Sequence, residues 1–349
     1  MKTIFQAFGL TTTDIETFVW RIAGPFFRWV FAPIKEYAER CFVLSVVPSG
    51  SANFGDLLDV RFQKIVSDEK KQLTSMLSTI FTMIGTNGRN NMMFSEVGTL
   101  PDWVEFTGSV DFSSVNQGYD VTMTPLEFTK GIQVERKLYD DDQYHIFDKR
   151  PKGLITGGNR KREKDGARLF NYAFSNDTYF YNHTEGVALC SDSHTTTSGT
   201  STASGFDNLV TAALTATSLA AARLQMIGFR DDVSEKYDSE PDEVWFPPDL
   251  GEQFFEINKS AGKVDGALNN ANFFQGRYTP HEYRQLTSTK NWWLSDASMR
   301  KDNCFWSDRI GMEFAFVEDF DTLVAKWRGY MRYAMVQTGW RWVIGAQVT

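Results

Sequence analysis

The stretch TLPDWVEFTGSVDFSSVNQGYDVTMTPLEFTKGIQVERKLYDDDQY, residues 99–144, decides the reading of this chain. Tyr119, Val121 and Met123 alternate with Asp120, Thr122 and Thr124, and Ile132 and Val134 alternate with Gln133 and Glu135. A period of two puts one set of side chains on each face of a strand, so the spacing predicts a long β-hairpin over 99–137 with its turn at 116–118. A two-stranded ribbon this long is marginal in water, so its apolar residues need a further surface.

Downstream, the acidic run 140–142 leads to a predicted helix starting at Pro151, a residue suited to a first helical turn. Ala167, Phe170 and Phe174 share one apolar stripe, against which Gly157 and Gly158 each cost about 1 kcal/mol relative to Ala. Residues 191–205, SDSHTTTSGTSTASG, predict a mobile surface loop. Further helices are expected at 217–229, capped by Thr217 or Ser218 with Ala220, Leu224 and Ile227 inward, and at 249–260 with Leu250, Phe254 and Ile257 inward. Short strands are expected at 243–246, 283–286 and 292–294. The end is β again: Ile310, Met312, Phe314 and Phe316 alternate, then come strands at 322–328 and 331–336 and the closing GWRWVIG of 339–345. Upstream, 1–70 reads as an arm with turn signals at VVPSG, 46–50, and the polar GTNGRNN of 85–91 leads into the hairpin.

Composition narrows the function. The chain has 349 residues, 42% of them hydrophobic, enough for a sizeable core. Aromatic residues make up 15%, which favours large contact surfaces. Cys41, Cys190 and Cys304 are too scattered for a disulfide framework or a metal knuckle and fit a reducing cytoplasm. The apolar stretch 18–34 is interrupted by Arg21, Pro25, Arg28 and Pro33, so a packed arm is expected there and no membrane partner.

A net charge of −8 argues against nucleic-acid binding over the whole surface. Charge is nonetheless uneven. Residues 149–168 carry Lys149, Arg150, Lys152, Arg160, Lys161, Arg162, Lys164 and Arg168 against Glu163 and Asp165, a balance of +6, whereas 231–256 carry −9. A basic strip is one reading of the first run, and a solvated helix face with pairs such as Glu163 to Arg168 is the other.

Catalytic readings are weaker. His183, Cys190, Asp192 and His194 are the residue types of a zinc site or a nucleophile with its base, but their spacing matches no signature and they flank a predicted flexible loop. His145 and His281 have no companion pattern, and the acidic pairs are explained by solvated corners and helix ends. No P-loop, GxSxG elbow, GxGxxG turn or EF-hand loop occurs, so no cofactor or metal is expected and the chain reads as a non-enzyme.

The order of these elements resembles the Hong Kong 97 type of tailed-phage major capsid proteins, including Mu-type head subunits. The resemblance runs over about 95–345 and rests on 99–110, 126–144, KREKDGARLFNYAFS at 161–175, LTATSLAAARLQM at 214–226, VWFPPDL at 244–250 and KWRGYMRYAMVQTGWRWVIG at 326–345. It implies an α+β fold divided into an N-terminal arm (1–70), a lead-in (71–98), an extended hairpin loop (99–130), a peripheral domain with a spine helix (131–180), an axial domain (181–297) and return strands (298–349). It further implies assembly with copies of itself, as hexamers and pentamers, into an icosahedral shell around double-stranded DNA in the virion, built in the host cytoplasm. On this reading Trp103, Phe106, Phe112 and Tyr119 of the hairpin, and Trp20, Phe26, Phe27 and Trp29 of the arm, are buried against neighbours, while the basic strip touches DNA weakly and without sequence preference. The absence of a long helical extension implies a separate scaffolding protein, alongside a portal and a decoration protein as further partners. The competing reading is a β-rich carbohydrate-binding or carbohydrate-cleaving protein, and a third is a phage tube or decoration protein.

Overall fold

Long alternating runs and one long helix dominate the molecule. The structure, a computed structural model, describes residues 75–85, 89–135, 149–263, 270–319, 321 and 324–349. All belong to the second of the chain's two units, Phe62–Thr349. Arm residues Trp20, Phe26, Phe27 and Trp29, together with Cys41, His145 and the acidic run 140–142, lie outside the described residues.

Three sheets form among the described residues. The first is built on β10 (Cys304–Asp319) and β11 (Val324–Gln337), antiparallel along their whole length. β1 (Thr82–Met83) flanks β10, and β4 (Leu126–Glu135) flanks β11. The two strands expected at 322–328 and 331–336 are therefore one. Gly329 does not break it, because the ladder pairs it with Phe314 on one side and Lys130 on the other.

The hairpin expectation is corrected. β3 (Gln117–Met123) does not pair with β4; it pairs with β2 (Met92–Val97) and with β5 (Tyr181–His183) in a second sheet. Gln117 and Gly118 of the expected turn are thus the start of a strand, and the connection at the ribbon's tip is the irregular stretch 98–116 between β2 and β3. Only Thr124 and Pro125 separate β3 from β4. Pro125 has no amide to donate and holds Thr124 extended, so the chain runs on into another sheet instead of folding back.

Helix α2 (Lys149–Asn171, with the short α1 at Leu77–Ile80 before it) begins just ahead of Pro151 and runs through both glycines. At Gly158 the helix faces the flexible end of the Met312 side chain on β10. Ala167 and Phe170 are fully buried, as the stripe predicts. Phe170 enters a tryptophan cluster, with ring centroids 5.2 Å from Trp245, 5.3 Å from Trp293 and 6.4 Å from Trp342. Stacked and edge-on aromatic pairs at these distances add to the area they bury.

The third sheet has the order β6 (Leu209–Val210), β12 (Val343–Ala346), β9 (Trp292–Ser295), β7 (Glu243–Phe246), β8 (Thr279–Glu282). The strand expected at 283–286 lies at β8 instead, and Tyr283 just beyond it is a buried anchor whose hydroxyl donates to Glu163 O at 2.6 Å. α3 (Ala216–Ile227) is capped by Thr215, which exchanges hydrogen bonds with Ser218 in a capping box. Its inward face is also not the expected one: Leu219, Ala222 and Met226 are buried, and Leu224 points out, 67% exposed. Alanine and leucine recur all round this helix, so apolar spacing alone leaves its rotation open. α4 (Gly251–Lys259) buries Phe254 and Ile257 as expected. α5 (Ala297–Asn303) has no counterpart in the sequence reading; Asp296 caps it by accepting from the amides of Ser298 and Met299. No helix of the described residues is long and apolar enough to cross a membrane.

Candidate functional site

The most unusual surface is the tip of the β2–β3 ribbon. Between Val97 and Val115 the chain exposes Leu100, Val104 and Val110, with Trp103 fully exposed, Phe112 at 90% and Phe106 at 71%. Large apolar side chains clustered on a free surface mark a contact site, because water penalises each of them. Charges in 98–116 are only acidic: Asp102, Glu105 and Asp111. Tyr119 differs from its predicted companions. It sits at the ribbon's base, half-buried, with its hydroxyl 2.7 Å from Thr195 Oγ1 and its ring 6.1 Å from that of His183.

The basic run lies along α2. Lys149 and Arg150 open the helix, and Lys152, Arg160 and Lys164 are exposed. Lys161, Arg162 and Arg168 pair with carboxylates of the same chain. Lys161 Nζ lies 2.7 Å from Asp165, Arg162 2.6 Å from Asp308, and Arg168 Nη2 2.7 Å from Asp177, to which it donates twice. Glu163 does not pair with Arg168 as expected; Asp177 offers a two-pronged acceptor suited to the guanidinium fork, and Glu163 accepts instead from Ser75 and Tyr283. An open groove of about 750 Å³ runs between α2 and the first sheet, with Phe128, Leu154, Met312 and Phe314 on its walls and Lys130 and Arg160 along it. The acidic stretch 231–256 is not one surface, since Asp231 and Glu243 are buried.

The residues that suggested a metal or nucleophile do not converge. His194 is buried, with Nδ1 3.1 Å from Glu185, Nε2 3.1 Å from Asn208 and its ring stacked 4.2 Å from that of Trp340. Part of the expected surface loop is therefore core. Burial pushes the Cys190 thiol up, away from the thiolate a nucleophile needs, and burial lowers His183. Asp192 is exposed. Among the described residues no three His, Cys, Asp or Glu side chains stand together as a metal site.

One buried cluster gave no sequence signal, because the partners of Glu243 lie 38–57 residues from it. Arg300 donates to Glu243 twice, from Nε at 2.9 Å and from Nη2 at 3.0 Å, and its Nη1 reaches the carbonyls of Thr79 and Ile80. His281 Nε2 lies 3.2 Å from the same carboxylate, and Ser295 donates to it. Desolvation pushes Glu243 upward, but the hydrogen bonds from His281 and Arg300 outweigh it and hold the carboxyl at about 2. The cluster ties α1, α5, β7, β8 and β9 into one body.

Together these surfaces describe a mixed α/β body with an exposed aromatic loop and a partly neutralised basic helix, features of a structural protein more than of an enzyme. Known proteins point the same way. A family model for phage capsid proteins matches residues 118–346. The capsid structure of the cyanophage P-SCSP1u superposes with a TM-score of 0.55 at 9% identity, over 79% of this chain and 88% of that one. The asymmetric unit of the mature capsid of bacteriophage PhiM1 gives a TM-score of 0.52 at 11% identity, over 79% and 88%. No curated protein matches the chain significantly. The chain belongs to the phage capsid protein family: it is a major capsid protein of a tailed phage, with the α+β fold of the Hong Kong 97 type. Its place is in the virion capsid, and the carbohydrate reading is not favoured.

Proposed function

We propose that the loop 98–116 is the main contact by which one subunit holds the next, in hexamers and pentamers of an icosahedral shell around double-stranded DNA. The observation that carries this reading is the exposure of Trp103, Phe106 and Phe112 on one loop. Assembly interfaces that bury on the order of 2,000 Å² draw most of their energy from such aromatic anchors. The receiving surface on the neighbouring copy is the groove beside α2: it is apolar where the loop is aromatic, and it carries Lys130 and Arg160 where the loop carries Asp102, Glu105 and Asp111. The arm residues Trp20, Phe26, Phe27 and Trp29 are a second contact in this reading.

Exposed Lys164 and the residues that open α2, Lys149, Arg150 and Lys152, are the ones we assign to weak, salt-dependent contact with packaged DNA; Arg160 belongs to the groove, and Lys161, Arg162 and Arg168 have carboxylate partners in the same chain. A separate scaffolding protein, a portal, an optional decoration protein and assembly in the host cytoplasm complete the proposal. Combining Trp103→Ala with Phe106→Ala tests its core. The double variant should stay folded, judged by an unchanged circular dichroism spectrum, and fail to form particles; normal particles would remove the loop from the mechanism.

A further inference from the structure

Within the ribbon the Gly98 amide donates to Asn116 O at 2.9 Å, and the base of the aromatic loop is further held by polar contacts to a segment outside the ribbon. On the outgoing side, Thr99 donates to Asp232 Oδ1 twice, from its amide at 2.9 Å and from its hydroxyl at 2.7 Å. On the return side, Thr197 Oγ1 donates to Gln117 O at 2.8 Å, and Tyr119 OH meets Thr195 Oγ1 at 2.7 Å. Ser198 and Thr200 donate to Asp232 O, so the Ser/Thr segment and the Asp232 turn form one piece. That piece is fixed to the body: Glu185 accepts from the Thr195 amide at 2.9 Å and contacts buried His194, and Arg341 reaches both Glu96 at 3.3 Å and Arg230 O at 2.9 Å. Gly98 is part of the fit. A Cβ there would come 2.2 Å from Asp232 Oδ2 and 2.7 Å from Asn116 O.

We infer that the Ser/Thr-rich segment 195–200 and Asp232 form a latch that sets the direction in which the loop 98–116 leaves the subunit, with Asp232 as its positioning residue. The inference rests on the proposed role of the loop and deepens it. A long irregular loop without a latch would sample many directions, and each productive encounter would bear the ordering entropy. With both of its ends clamped to the same rigid piece, the loop is presented to the neighbour preorganised. The low-complexity run 191–205 thereby acquires a structural role, since its hydroxyls are short donors that reach backbone carbonyls and a carboxylate across a narrow gap.

The test uses the full-length chain below its assembly concentration, as Asp232→Ala, Asp232→Asn and Thr99→Val, with the Trp103→Ala, Phe106→Ala double variant alongside. Hydrogen exchange at the Thr99 amide and across 98–116 is read before assembly, then particle formation by light scattering and negative stain. Asp232→Ala should leave the melting temperature close to that of the parent, speed exchange at Thr99 by about tenfold or more, as expected for a lost charge-assisted hydrogen bond, and slow assembly. Asp232→Asn keeps an oxygen where Oδ1 sits and should restore both readings. Thr99→Val, which removes the hydroxyl donor from the other side, should fall between and gives the same reading should Asp232→Ala fail to fold. Unchanged exchange at Thr99, or fast exchange with normal assembly, overturns the latch. If the aromatic double variant also assembles normally, the loop contact itself has failed; if that variant is defective while Asp232→Ala assembles as the parent does, only the latch has failed.

Discussion

Glu243 gathers a guanidinium, an imidazole and a hydroxyl around one buried carboxylate, and its worth follows from what its loss would strand. Glu243→Gln removes the charge opposite Arg300 and one of its two acceptor oxygens, leaving the buried guanidinium with a neutral amide oxygen and two backbone carbonyls, so equilibrium denaturation should show a loss of about 3–5 kcal/mol. The same carboxyl sets an acid limit. Its folded value of about 2 lies below the ordinary value of about 4.3, so its stabilisation is fully present above about pH 5 and is lost as the pH falls through 2. Between those limits the parent should lose stability as acid is added, whereas Glu243→Gln should respond less steeply; equal slopes would contradict the assignment. Phe170 tests packing in the same way. Its ring fills the space between Trp245 and Trp293, so Phe170→Ala should cost about 3–5 kcal/mol, read by the same denaturation.

At the scale of elements, α2 separates charges that look alike in sequence. Reversing Lys164 to Glu should spare empty shells and lower DNA filling, read as the absorbance ratio of purified particles; unchanged filling would return that residue to a solvated face. Reversing Lys161 and Arg162 instead should lower the melting temperature, because each then meets a carboxylate of its own subunit. The sequence distinguished the helix but not these partners, since Asp308 lies 146 residues from Arg162 and Asp177 lies beyond the helix end, nine residues from Arg168. Strand periodicity in 119–123 and 132–134 was legible for the same reason the helix was: one face of each is repeatedly apolar. Which strand pairs with which was not, because period two fixes a face and leaves the partner open, and the proline at 125 turned an expected hairpin into two strands of different sheets. The aromatic loop was legible in Trp103, Phe106 and Phe112, which the core of the described residues leaves exposed. His194 and Thr195 to Thr200 were not, because a Ser/Thr-rich composition looks the same whether its hydroxyls face water or clamp a neighbouring strand.

The whole molecule joins a stiff interior to an unsatisfied exterior. Five tryptophans, Trp245, Trp292, Trp293, Trp306 and Trp342, are buried almost completely, so the body can hold its shape while the loop is loaded by a neighbour. The most direct test of the central claim, that the loop finds its dry surroundings on a second copy, is negative-stain imaging of the purified protein across a range of concentration and salt, beside the Trp103→Ala, Phe106→Ala variant. The account predicts shells, rings or tubes for the parent and folded, unassembled subunits for the variant. A parent that stays monomeric under every condition, or a variant whose particles match the parent's, would contradict it.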